Sequence, residues 1–364
     1  MASFVYFISS HGFGHAARAV SIIAALRKQL PNSRITLMTS VPPWFFSDSL
    51  GEELPQEEVA RDVGLIQSDP FSEDLPATIA SLRQQVPFAD PLVNATAERL
   101  EALKPDLVLC DIAPLGLAAA QRAGIPSVLI ENFTWSYIYK GYGESFPEIL
   151  PLAEALEEVF NTADLHIQTT PVCVPKASAV RVAPISRLPR HSRSEVRQAL
   201  GIPEAEPMIL VTMGGIEWQA DSLHSGRGQA EPWLVVPGGG DHRRKGRLIR
   251  LPHRSRFYHP DLIEAADLVV GKLGYSTVAE VHRAGLPFAY LGRPAFAESA
   301  HLEAWVQSEL PSHPLTQEEL RNGRWLKAVE RLIGQRSPRR SEDGADEVCS
   351  IVLRRLDQGS TTVN

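Results

Sequence analysis

Two histidines and two glycines stand close together in the segment SSHGFGHAARA, residues 9–19. A neutral imidazole near pH 7 is a good general base for a hydroxyl group, so His11 and His15 are candidate bases. Gly12 and Gly14 allow the backbone to approach a ligand closely or to adopt a positive φ. The pattern fits equally well a glycine-rich turn whose histidines cap a helix or face solvent.

The apolar run DLVLCD ends at Asp111, which is a candidate partner for such a histidine. A carboxylate on one imidazole nitrogen fixes the tautomer and stabilises the imidazolium. If the strands are parallel, Asp111 and His15 lie at the same edge of the sheet. The alternative is an ordinary strand-end aspartate that caps the helix predicted from Pro114.

Residues 271–280, GKLGYSTVAE, combine small and hydroxylated side chains with a lysine. They follow an apolar run and open a predicted helix, where free N–H groups and the helix dipole attract a diphosphate. Lys272 adds positive charge, and Glu280 lies one turn further on, where a carboxylate can accept hydrogen bonds from ribose hydroxyls. The segment lacks the Walker A spacing, and HGFGHA lacks the third glycine of a dinucleotide fingerprint. A strand–helix turn with a Ser or Thr N-cap is the alternative.

The elements that must position these residues alternate along the chain. Short apolar runs alternate with helical patterns, which predicts an α/β protein with two Rossmann-like, doubly wound domains facing across a cleft. We predict domains at residues 1–182 and 207–340. Residues 183–206 are predicted as the linker and first helix of the second domain, and 341–364 as a C-terminal helix and tail.

The amino-acid composition argues against some classes of function and favours one cellular compartment. The 364 residues are 44% hydrophobic and 22% charged, with a net charge of −7, which argues against a nucleic-acid binder that relies on a broad basic field. The three cysteines, Cys110, Cys173 and Cys349, show neither a disulfide framework nor metal-ligand spacing, which favours a cytoplasmic protein. The sequence shows no signal peptide or transmembrane stretch, while peripheral membrane contact stays open.

Two segments resemble a known family. GKLGYSTVAE followed by GLPFAYLGRPAFAE is similar to the donor-site segment of GT-B nucleotide-sugar glycosyltransferases. Together with the GFGHAAR opening, it resembles the glycosyltransferase-like N-terminal domain of L-arabinokinases. The resemblance is sharp in these two stretches and elsewhere rests on the order of strands and helices. No Gly/Ser-rich kinase phosphate loop is recognisable, so arabinose kinase activity is not implied.

The resemblance implies roles for individual residues. His15 matches the residue that is the catalytic base in many relatives, and Asp111 matches the aspartate that pairs with this base in some of them. His11 is the alternative base. Donor contacts are implied for Gly12, Gly14, Gly214, Gly215, Lys272, Gly274, Tyr275, Ser276, Thr277, Glu280 and Glu298. Relatives commonly follow the acidic residue at 298 with Gln, whereas this chain has Ser299, so the sugar is not fixed. In the aromatic segment 131–143, Trp135 and Tyr137 are predicted acceptor contacts, with core packing as the alternative.

The expected activity is metal-independent transfer of a sugar from a nucleoside-diphosphate sugar, with uridine as the expected nucleoside, to a hydroxyl-bearing acceptor. The nucleotide sugar is a co-substrate, and no cofactor or metal site is expected. Two alternatives stay open: a nucleotide-sugar 2-epimerase and a non-catalytic nucleotide-sugar-binding module. The sequence does not identify the acceptor, the sugar or the stereochemical outcome.

Overall fold

The computed structural model describes residues 1–59, 63–69, 72–213 and 231–360, and of residues 68, 69 and 358–360 it describes the backbone alone. The described strands are β1 (Ser3–Ile8), β2 (Arg34–Met38), β3 (Gln56–Glu57), β4 (Gln67–Asp69), β5 (Ser72–Glu73), β6 (Leu107–Asp111), β7 (Ser127–Glu131), β8 (Leu165–Thr169), β9 (Val180–Val182), β10 (Met208–Thr212), β11 (Trp233–Gly239), β12 (Arg243–Lys245), β13 (Leu248–Pro252), β14 (Leu268–Lys272), β15 (Phe288–Leu291) and β16 (Ser312–Leu315).

The described helices are α1 (Gly14–Gln29), α2 (Pro43–Leu50), α3 (Leu75–Leu82), α4 (Asp90–Leu103), α5 (Pro114–Ala123), α6 (Trp135–Lys140), α7 (Leu150–Phe160), α8 (Arg193–Leu200), α9 (His259–Ala265), α10 (Tyr275–Ala284), α11 (Glu298–Glu309), α12 (Gln317–Arg321), α13 (Trp325–Val329) and α14 (Gly344–Ser360). Short 3₁₀ turns lie at Pro147–Ile149 and Glu330–Leu332.

The first lobe is built on a parallel sheet with the strand order β3-β2-β1-β6-β7-β8-β9. Successive side chains of a strand point to opposite faces. In β1, Phe4 and Tyr6 join one apolar core, while Val5 and Phe7 join the other. The continuous apolar run is therefore explained by a strand that is covered on both faces.

The second lobe repeats this plan with the strand order β12-β13-β11-β10-β14-β15-β16. Its pairs are parallel except β12–β13, which is antiparallel. In β10, Met208 and Leu210 face one core, and Ile209 and Val211 the other. The predicted fold class of two doubly wound lobes is confirmed.

The last helix returns to the first lobe. In α14, Val348, Cys349 and Val352 are buried in the same core as Ile22 and Ile23 of α1. The chain therefore crosses between the lobes twice, once before α8 and once before α14. The domain boundaries given above stay predictions.

Candidate active site

The loop of residues 9–13 leaves the first sheet directly beside Asp111. Ile8 pairs with Asp111, and the Ser9 N–H donates to the Asp111 carbonyl oxygen at 3.1 Å. Gly12 has φ +72°, a conformation that favours glycine. α1 then begins at Gly14 without a side-chain cap, so its first N–H groups are available to a ligand.

The helix α10 of the second lobe begins opposite α1. Gly274 occupies its N-cap position and no side chain caps the helix. A Cβ atom on Gly14 would lie 3.7 Å from Ser276 Oγ, so the two helix starts nearly touch. Two uncapped helix N-termini therefore converge on one place, which favours an anion there.

His15 is buried and lies against Asp111, with 2.8 Å between Nδ1 and Oδ1. Burial alone would raise the pKa of Asp111, but the charge and hydrogen bonds of Arg18, together with His15, lower it below its usual value. An ionised Asp111 accepts the Nδ1 proton, which leaves His15 Nε2 as the proton acceptor. The structure thus brings the two predicted partners together.

Arg18, one helical turn after His15, binds the same carboxylate in a bidentate manner. Its Nε donates to Asp111 Oδ2 at 2.6 Å and its Nη2 to Oδ1 at 2.5 Å. Its Nη1 donates to Asn132 Oδ1 at 2.8 Å. The guanidinium also lies over the Tyr275 ring of the second lobe, 5.1 Å from its centroid.

Glu298, the first residue of α11, is joined to the first lobe through Asn132. The Asn132 Nδ2 group donates to Glu298 Oε1 at 2.7 Å, and both side chains are buried. Burial raises the pKa of Glu298, against the opposing effects of Arg293 and Asn132. A hydrogen-bonded chain therefore runs from Asp111 through Arg18 and Asn132 to the second lobe.

His11 lies edge-on to Trp135, with 5.0 Å between the ring centroids. Burial, with the positive charge of neighbouring groups including Arg293 and Lys272, lowers the pKa of His11 to about 3. His11 is therefore neutral near pH 7 and a weak proton acceptor in the free protein.

A cavity of about 320 Å³, here called the His15 cavity, contains most of the predicted site residues. Its walls include His11, Gly12, Phe13, Gly14, His15, Arg18, Asn132, Lys272, Gly274, Tyr275, Ser276, Thr277, Arg293 and Glu298. Burial lowers the pKa of Lys272 to about 8, and the nearby Arg293 acts in the same direction. Arg293 is itself buried, and its Nη1 lies 3.6 Å from Glu73 Oε1; among the described residues, its Nε and Nη1 have no hydrogen-bond partner.

A larger cavity of about 620 Å³, here called the Glu280 cavity, lies on the other side of the point where Gly14 and Ser276 come close together. It shares Phe13, Gly14, Ser276 and Thr277 with the His15 cavity, and its own walls include Trp44, Arg187, Tyr258, His259 and Glu280. The two cavities therefore meet at the start of α10.

Glu280 is held at both carboxylate oxygens. Arg187 Nε, from the segment between the lobes, donates to Oε1 at 2.8 Å, and His259 Nδ1 lies 2.9 Å from Oε2. Burial would raise the pKa of Glu280, but Arg187 and His259 outweigh it and lower the pKa. The carboxylate is therefore ionised and oriented at the wall of its cavity.

The two predicted acceptor contacts, Trp135 and Tyr137, are packed against other protein groups. Trp135 is fully buried and stacks on Tyr139, with 5.7 Å between centroids. The Tyr137 hydroxyl lies 2.8 Å from His301 Nε2, in the second lobe. Acceptor binding by Trp135 and Tyr137 stays a prediction, and in this conformation their rings pack in the core and between the lobes.

Tyr275 also joins the lobes. Its hydroxyl donates to the Thr170 carbonyl oxygen and accepts from the Ile185 N–H, both at 3.1 Å. Gly214 and Gly215 lie outside the described residues.

Within the described ranges, no three or more His, Cys, Asp and Glu side chains are grouped so as to hold a metal ion. None of the helices in the described part of the chain is long and apolar enough to cross a membrane.

Sequence reasoning missed Arg18, Asn132, Arg187, His259 and Arg293. Asn132 is the first residue after β7, and Asp111 is the last residue of β6. Since the ends of parallel strands meet at one edge of the sheet, Asn132 could have been expected at this site as well. Arg18 lies one turn after His15, a spacing that places both side chains on one helix face. Arg187 and His259 had no comparable signal, because they reach Glu280 only through the tertiary fold.

Comparison with solved structures identifies the architecture. UGT89C1 of Arabidopsis thaliana, complexed with UDP, superposes with a TM-score of 0.61 at 12% identity, covering 98% of this chain and 100% of that chain. SsfS6, a glycosyltransferase of Streptomyces sp. SF2575 complexed with thymidine diphosphate, gives a TM-score of 0.56 at 16% identity, covering 97% and 100%. The chain has the GT-B fold.

Comparison of sequences gives a curated relative. L-arabinokinase of Arabidopsis thaliana is 27% identical over 366 residues, which cover 96% of this chain and 34% of the relative. The chain thus spans about a third of the length of that protein. No family model matches the chain. The resemblance stated from the two motifs is confirmed by these similarities.

Proposed function

We propose that this GT-B chain transfers a sugar from a nucleoside-diphosphate sugar to a hydroxyl-bearing acceptor. The observation that carries the proposal is the His15 cavity, in which a buried His–Asp pair of one lobe faces an uncapped helix start of the other. Such an arrangement combines a general base with a site for a leaving diphosphate.

The donor lies across both cavities. Its diphosphate binds at the start of α10, where Ser276, Thr277 and the backbone N–H groups are shared by the two cavities. The nucleoside occupies the Glu280 cavity, where the ionised carboxylate accepts from ribose hydroxyls. The sugar occupies the His15 cavity, within reach of Glu298.

His15 is the base of the proposed reaction. Its Nε2 takes the proton of the acceptor hydroxyl while the acceptor oxygen forms a bond to the anomeric carbon. The bond from that carbon to the diphosphate oxygen breaks, and the electron pair leaves with the diphosphate. Asp111 stabilises the imidazolium, and we assign the base to His15 rather than His11 because the pKa of His11 is about 3.

The protein's own groups stabilise the leaving diphosphate in this proposal. The start of α10 supplies N–H groups, and Lys272 lines the same cavity. We assign to them the role of charge compensation, so that the reaction proceeds without a bound metal ion. UDP is the proposed nucleotide, supported by the likeness to UGT89C1. The three buried cysteines, none of which forms a disulfide, favour a reducing compartment such as the cytoplasm.

Incubation with a panel of UDP-sugars tests the proposal. Slow release of UDP with free sugar, accelerated by an acceptor, is the expected result. Conversion of one UDP-sugar into another without acceptor would identify a 2-epimerase. Binding without turnover, under conditions in which acceptors are supplied, would identify a binding module and contradict the proposal.

A further inference from the structure

Arg18 is an arginine whose side chain is almost completely buried behind the base. It is 1% exposed, although arginine is seldom fully buried unless it is paired. It donates to Asp111 and Asn132, it lies over the Tyr275 ring, and its Nη2 lies 3.2 Å from His15 Nδ1. The guanidinium thus contacts both members of the proposed catalytic pair.

Hydrogen-bond chemistry fixes the direction of the contacts that Asp111 and Asn132 make. A guanidinium only donates and an ionised carboxylate only accepts. Asp111 therefore accepts hydrogen bonds from Arg18 Nε, from Arg18 Nη2 and from the Nδ1–H group of His15. By the same rule the Asn132 amide accepts from Arg18 through Oδ1 and donates to Glu298 through Nδ2.

The charges then oppose protonation of the base. A buried aspartate without a compensating cation favours the protonated imidazole, which lowers the fraction of His15 that can act as a base at neutral pH. Arg18 already compensates Asp111, and its own charge lies within 3.2 Å of the ring. The other titratable groups that line the cavity around His15 are His11, which is neutral near pH 7, Tyr275 and Glu298, whose pKa values are raised, and the cations Lys272 and Arg293.

We propose that Arg18 is a positioning residue of the transfer reaction. It holds Asp111 in place, sets a positive charge beside the His15 ring that opposes its protonation, and links the pair through Asn132 to Glu298 of the second lobe. The inference rests on the proposed function, because a base is needed only if His15 takes a proton from an acceptor.

The test compares Arg18→Gln with the wild-type chain by NMR of ¹⁵N-labelled histidine side chains over a pH series. Arg18→Gln removes the charge, so His15 is expected to take up a proton at a pH about one unit or more higher than in the wild type. Arg18→Lys restores a charge and is expected to bring the titration back toward the wild type. Arg27→Gln, in the same helix but paired with Glu52 near the surface, is the matched control and should leave the His15 titration unchanged.

Turnover provides the second measurement. At pH 7, UDP-sugar cleavage by Arg18→Gln should fall about tenfold or more and recover as the pH is raised, while the Kd for UDP stays within about twofold. An unchanged His15 titration and an unchanged pH–rate profile in the folded variant would overturn the proposal.

A variant that fails to fold at neutral pH still decides the question. Protonated His15 can replace the guanidinium as partner of Asp111, so Arg18→Gln should then refold as the pH is lowered to about 6. Failure to refold would count against the inference. If His15 titrates as expected but the wild type cleaves no UDP-sugar, Arg18 still controls the charge of His15, and it is the proposed transfer that fails.

Discussion

The two histidines of the first loop differ in their surroundings, and this difference is testable by substitution. His15→Ala removes the group that is paired with Asp111, so UDP-sugar cleavage should fall by about 10²–10⁴-fold while the Kd for UDP hardly changes. His11→Gln should retain turnover within about tenfold, because His11 has a pKa of about 3. Steady-state rates and calorimetric titration with UDP measure both effects. The reverse ranking of the two variants would assign the base to His11.

Lys272 gives the site a dependence on pH. Its pKa is lowered to about 8 by burial in the free protein, and a bound diphosphate favours the charged form and raises it again. Affinity for UDP should therefore be highest below pH 8 and weaken as the pH rises above it. Calorimetry at pH 8.5 in buffers of different ionisation enthalpy should show proton uptake on binding. Lys272→Met should bind more weakly and lose this proton uptake; a variant that keeps it would place the effect elsewhere.

At the residue scale, the sequence allowed part of the site to be predicted. His15 and Asp111 could be paired because Asp111 ends one parallel strand, His15 lies shortly after another, and the ends of parallel strands share an edge. Arg18 could not be assigned, because an arginine in a helix usually faces solvent and only the fold shows that this one is buried. Trp135 was predicted as an acceptor contact but is fully buried in this structure. The sequence of an aromatic cluster does not reveal whether its rings bind ligand or fill the core.

At the scale of elements, the contact of α5 with the first sheet depends on Gly116. A Cβ atom there would lie 2.5 Å from Phe7 Cγ and 2.8 Å from Cys110 Sγ. Gly116→Ala should therefore lower the free energy of unfolding by at least about 1 kcal/mol, since overpacking outweighs the helix propensity gained. Gly240→Ala, where no atom of the described residues lies within 4 Å of the added Cβ, should change the free energy of unfolding by less than about 0.5 kcal/mol. Equal stabilities in urea unfolding would show that the helix does not pack as described.

The strands and helices themselves were largely predictable, because apolar runs buried on both faces differ clearly from helical patterns. The glycine-led starts of α1 and α10 were predicted from small residues after apolar runs. That the two starts lie within contact distance could not be predicted, because their separation is set by how the lobes pack and not by local pattern.

At the scale of the whole molecule, the last helix ties the end of the described chain to the first lobe. Val348 is fully buried between α14 and the first-lobe core, while Ser350 of the same helix is exposed. Val348→Asp buries an unpaired charge and should cost about 3 kcal/mol or more of stability. Ser350→Asp should be nearly neutral. Thermal unfolding of the two variants measures this, and similar melting temperatures would contradict the packing of α14 on the first lobe.

The whole account depends on a diphosphate bound where the two lobes meet, and a crystal structure with UDP tests this most directly. The account predicts phosphate oxygens about 3 Å from the backbone nitrogens at Ser276 and Thr277, with the ribose against Glu280 and His15 Nε2 facing the position of the transferred sugar. A diphosphate bound away from the start of α10, or an unoccupied cleft at saturating UDP, would contradict it.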